Sequence, residues 1–169
     1  MDLRRALSAA AWGLAFGLLG LVALVPDLPA RITALRVTEG RWVDPACSPA
    51  ERPCALRWPD GLALQVGVEP RLADGGAPAA IPTNTPITVW VEGEAAAGQR
   101  GELVWTGHDM SMGRLALPLV EVAPGRLEAR GPLPACVRGQ MIWRMDVQLE
   151  GPGGPRGAHA LLPSRAPGG

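Results

Sequence analysis

"MIWRMDVQLE", residues 141 to 150, decides the fold class. Met141, Trp143, Met145, Val147 and Leu149 alternate with Ile142, Arg144, Asp146, Gln148 and Glu150. A period of two places large apolar groups on one face of a strand and polar groups on the other, the pattern of a half-buried β-strand. The same alternation extends outward. In "GLALQVGVEP", Leu62, Leu64, Val66 and Val68 share a face; in "PITVWVEG", Ile87, Val89 and Val91 do so. "GELVWTG", "RLALPLVEV" and "GRLEARG" are shorter candidates, and "DGGAP", "APG" and "GPLP" supply the turns between them. Pro118 inside a candidate strand points to an edge or a bulge. Several short strands at this spacing predict an all-β protein, an immunoglobulin-like antiparallel β-sandwich.

The composition agrees. The chain has 169 residues, 22 of them Gly and 18 Pro, too many for a helical bundle. Sixteen basic residues, all Arg, balance sixteen acidic ones. A net charge near zero gives no basic patch for neutralising phosphates, so nucleic acid is not an expected partner.

The N-terminus predicts a location. "MDLRR", residues 1–5, precedes an uncharged apolar run from Ala6 to Val25. That run is long enough to cross a hydrocarbon core of ~30 Å as a helix. Arg4 and Arg5 keep the N-terminus cytoplasmic. No small-x-small cleavage site follows in "PDLPARI", which favours an uncleaved single-pass anchor over a removed signal peptide. Residues 26–46 then read as a stalk and first strand, 47–150 as the sandwich on the far side of the membrane, and 151–169, rich in Gly and Pro, as a mobile tail.

No nucleophile elbow, phosphate loop or zinc-protease motif occurs, and the carboxylates are scattered along solvent faces. The chain is not expected to be an enzyme. The residues that carry chemistry lie in "GHDMSMG", residues 107–113. If that segment is extended, His108, Met110 and Met112 point to one side, each about 7 Å from the next. Thioether sulfur is soft and uncharged and selects Cu(I) over hard cations. Gly107 and Gly113 allow the backbone to bend toward convergence. The competing reading is ordinary packing, because Met fills irregular core gaps. "LPACVRGQMIW" adds Cys136 and Met141 from another strand, although Met141 shares its parity with core Trp143. Three cysteines make one disulfide in any of three pairings. The expected pair is Cys47 with Cys54, which leaves Cys136 as a candidate thiolate ligand outside the cytoplasm.

The layout resembles small bacterial membrane-anchored proteins with a FixH- or YtkA-like periplasmic domain. The resemblance is carried by the N-terminal anchor, "CSPAERPC", "GHDMSMGRLAL" and "LPACVRGQMIW", and spans roughly residues 47 to 150. It joins a G-x-(D/N)-M-x-M-G element to a later L-P-x-C followed by Met and Trp. "RLAL" stands where relatives usually carry an aromatic residue. The resemblance implies an immunoglobulin-like sandwich and a part in copper handling or in the assembly of haem-copper oxidases of the inner membrane. The expected function is therefore a periplasmic Cu(I) carrier or assembly factor serving a respiratory membrane complex or a copper-accepting protein. The alternative is a metal-free accessory module of a membrane complex.

Overall fold

The computed structural model describes residues 37–72, 79–135, 139–151 and 154–166. The expected anchor, 6–25, and Cys136 lie outside them. Among the described residues no helix is long and apolar enough to cross a membrane.

The protein is all-β. Among the described residues eleven strands run in chain order: β1 Thr38–Glu39, β2 Arg41–Trp42, β3 Cys54–Arg57, β4 Ala63–Glu69, β5 Ile81–Pro82, β6 Pro86–Glu92, β7 Arg100–Gly107, β8 Arg114–Ala123, β9 Arg126–Pro132, β10 Gln140–Gly151 and β11 Gly154–Arg165. They form one sheet in the order β1-β11-β10-β7-β8-β9-β6-β4-β3-β2, with β5 also on β11. The long ladders are antiparallel, as expected. The sheet is nonetheless mixed, because β1 and β5 each pair with β11 in parallel.

Two crossings make the sheet continuous. β8 pairs with β7 from Arg114 to Leu119 and with β9 from Val120 onward, with a bulge between Glu121 and Ala123. Pro118 sits before the switch, where β8 is paired on its β7 side only, so its missing N–H is not required. Gly40 separates β1 from β2 and thus joins the two ends of the sheet; its N–H donates to the Gly157 carbonyl at 2.7 Å. The Trp58 ring lies only 2.6 Å from where a Cβ on Gly40 would stand, so glycine is required there.

The alternation read from the sequence is the alternation of burial. In β10, Met141, Trp143, Met145, Val147 and Leu149 are all buried, and their intervening partners are not. They share one core with Leu64, Val66, Ile87, Val89, Leu103 and Trp105 from strands all round the sheet. Trp90 departs from this scheme. It lies on the outer face, yet it is buried, because its ring covers Gly67 on β4 and Arg126 stacks over it at 4.9 Å.

The expected mobile tail is corrected: residues 154–165 are β11, which pairs with β10 from Gly154 to Arg165. Its Gly and Pro content concealed it. On its second side β11 meets β1 only at Arg156 and Gly157, and β5 only at Ser164 and Arg165. Pro155 and Pro163 fall at positions without a partner on that side, where a strand tolerates proline.

Arg156 is 7% exposed, unusual for an arginine, and pairs with Asp60 across the fold. The Arg156 hydrogen bond is the main cause that lowers the Asp60 carboxyl below its ordinary value. A carboxylate whose folded pKa is depressed contributes stability above its unfolded pKa. That contribution is lost as pH falls through the folded value. Acid should therefore weaken the domain through this pair. Unfolding curves measured across the acidic range should show a smaller pH dependence in Asp60→Asn than in the parent.

Cys47 and Cys54 are joined by a disulfide. The loop they close is docked: the Val68 N–H donates to the Pro49 carbonyl at 3.1 Å, and Ala50 is fully buried. Reduction, or replacing both cysteines by Ala, should cost about 2–3 kcal/mol by loop entropy, read as a lower urea midpoint.

Candidate functional site

β7 ends at Gly107 and β8 begins at Arg114, so the six residues from His108 to Gly113 form the connection between them. The ladder explains where the strand stops. Gly107 is opposite Trp143 on β10, and the His108 N–H still donates to the Ile142 carbonyl at 2.9 Å. The next bond comes from a side chain. Asp109 Oδ1 accepts the Ile142 N–H at 3.2 Å. Asp side chains compete in this way with backbone partners, and the chain leaves the ladder.

The expectation of an extended segment is therefore corrected. His108, Met110 and Met112 are not brought to one side by strand parity; they sit on a loop folded back on itself. The Met110 carbonyl oxygen comes within 2.0 Å of where a Cβ on Gly107 would stand, and the methyl of Met141 comes within 3.1 Å of the same point. Gly113 closes the loop with φ of 76°, in the left-handed region that favours glycine.

The side chains divide by environment. His108 is exposed. Met110 and Met112 are half-buried and pack against the core. Met141 is 3% exposed and belongs to the core. The loop thus gathers an exposed imidazole and two half-buried thioethers, with a third thioether under Gly107. At its base Arg114 pairs with Glu102 at 2.7 Å, an exposed pair of little energetic weight. Sequence reasoning missed Asp109, whose clip on β10 sets the loop; an Asp at a strand end was the available signal.

Among the described residues no group of three or more His, Cys, Asp or Glu side chains is placed to hold a metal ion. A site here depends on sulfur from methionine. Thioethers bind soft, low-charge ions and bind Zn²⁺, Mg²⁺ or Ca²⁺ poorly. The donor set fits Cu(I).

No protein-family model, no curated protein and no solved structure matches the chain.

Proposed function

We propose that this is a membrane-anchored periplasmic domain that binds Cu(I) on the loop from His108 to Gly113 and delivers it to a partner, either a copper-accepting protein or a respiratory oxidase under assembly in the bacterial inner membrane. Ala6–Val25 is the anchor. The two runs of ladder, joined at β8 and at Gly40, are the faces of an immunoglobulin-like sandwich. His108, Met110 and Met112 are the primary donors, with Met141 beneath them and Cys136 a further soft donor; the FixH/YtkA-like resemblance points the same way. The chain carries copper and catalyses no reaction.

The observation that carries the reading is the convergence at Gly107. The backbone of Met110 and the methyl of Met141 both come close to the same point beside Gly107. Copper is cargo here, so a site at the rim of the core suits it, half-buried for retention and half-exposed for transfer.

The second reading, a metal-free accessory module, draws on the burial of Met141 and on the packing of Met110 and Met112 against the core. One experiment separates the two. Met110→Leu with Met112→Leu preserves volume and apolarity, so each change should cost less than ~1.5 kcal/mol. In an anaerobic titration the double variant should lose at least about tenfold in Cu(I) affinity, as expected when ligand support is removed. Equal affinity, or no Cu(I) binding by the parent, assigns the methionines to packing.

A further inference from the structure

The groove of about 550 Å³ on β2 and β3 lies away from the methionine loop and is lined by Arg41, Trp42, Val43, Arg57, Trp58 and Pro59. Arg41 and Arg57 are directly opposite each other in the β2–β3 register, and both are exposed. Like charges in that relation repel. Neither is paired with a carboxylate among the described residues, and no acid lines the groove. The nearest carboxylates in sequence are engaged elsewhere. Asp44 holds Arg52 at 2.8 Å, and Asp60 holds Arg156. Glu39, across Gly40, is exposed and pairs with neither arginine among the described residues. The rest of the groove lining is apolar. Val43 is 59% exposed, the most of any large hydrophobic side chain among the described residues.

We infer that this groove docks on the membrane surface and takes the phosphate headgroups of anionic phospholipid. Two adjacent unpaired arginines match a phosphodiester, which arginine grips with paired N–H donors. The exposed Val43 beside them suits the apolar side of the membrane–water interface. The chain also places the groove within reach. Fifteen residues separate Val25, the end of the apolar run, from Arg41. Fully extended they span at most about 50 Å. The inference rests on the anchor reading for this proximity alone; the charge match stands without it.

The test uses the full chain in vesicles of phosphatidylcholine alone and of phosphatidylcholine with phosphatidylglycerol. Phenylglyoxal is added outside, and modification at each arginine is followed by mass spectrometry. Arg41 and Arg57 should react about fivefold more slowly in the phosphatidylglycerol vesicles, the factor that corresponds to the attraction of one basic side chain for an anionic leaflet. Arg100, on β7, should react alike in both. High salt should remove the difference. Arg57→Gln should relieve the protection of Arg41. Equal rates at Arg41 and Arg57 in the two vesicles overturn the inference. So does equal protection by inorganic phosphate in phosphatidylcholine vesicles, which makes the groove a site for free anions. Carbonate extraction reads the anchor separately. A chain that is extracted yet still protected by phosphatidylglycerol refutes the anchor and keeps the docking surface.

Discussion

Trp143→Ala is expected to lose about 3–5 kcal/mol of folding free energy, the range for truncating a fully buried tryptophan. Trp143 is 1% exposed and meets Trp105 edge-to-face, with ring centroids 6.5 Å apart and planes at 86°. The two lie diagonally across the β7–β10 ladder, since Trp143 is opposite Gly107 and Trp105 opposite Met145. Alanine at 143 removes the edge-to-face contact and leaves a cavity directly under the methionine loop. Domains are stable by only about 5–15 kcal/mol, so this one change removes a third or more of a typical margin. Trp143→Phe is the control. It keeps an aromatic ring and deletes an indole N–H that has no hydrogen-bond partner, so it should cost less than half as much. Urea unfolding of the three proteins checks the order. Equal losses for Ala and Phe would place the stability in the indole itself rather than in filled volume.

Gly107→Ala is expected to cost about 3 kcal/mol, the upper end for overpacking. The added methyl would meet the Met110 carbonyl oxygen at 2.0 Å and the Met141 methyl at 3.1 Å. The Met141 side chain can turn aside. The carbonyl belongs to the backbone, so the loop itself must open. The variant should therefore lose Cu(I) affinity with every donor still in the sequence, which the leucine variants cannot show. Gly113→Ala gives the contrast. No atom lies within 4 Å of its would-be Cβ, and only its φ of 76° resists substitution. Its cost should be about 1–2 kcal/mol, that of one left-handed residue. If Gly107→Ala proves no worse than Gly113→Ala in unfolding and in Cu(I) titration, the close approach at Gly107 has no hold on the loop.

The strands that were legible in the sequence are those whose neighbours on both sides belong to regular ladders. In β4, β6 and β10 the period of two reports directly which face meets the core, because every second side chain has the same surroundings. β11 was not legible. Its buried run from Arg156 to Ala158 does not alternate, since Gly157 is covered as well where β1 pairs with it, and the core-facing parity there carries an arginine. Its prolines are allowed by gaps between β1 and β5 that no local pattern announces. The segment from His108 to Met112 has the alternation of a strand and is a loop, because one side-chain bond from Asp109 ended the ladder. Sequence alone left three cysteine pairings open, of which the fold forms Cys47–Cys54, and the crossing of β8 at Leu119 was not legible: it depends on which strand is nearer, a fact of the assembled fold.

The place of β11 bears on when the domain can form. Among the described strands it comes last in the chain, yet it lies between β1, the first of them, and β10. During synthesis, residues 38 to 39 must wait unpaired until residues 156 to 157 have emerged, and β5 waits for 164 to 165. Long-range parallel pairing of this kind is slow to form. A nascent chain stopped before β11 leaves one long side of β10 bare and the ring of strands open, a form suited to capture by a chaperone or to aggregation. For this chain, closure of the fold waits on β11.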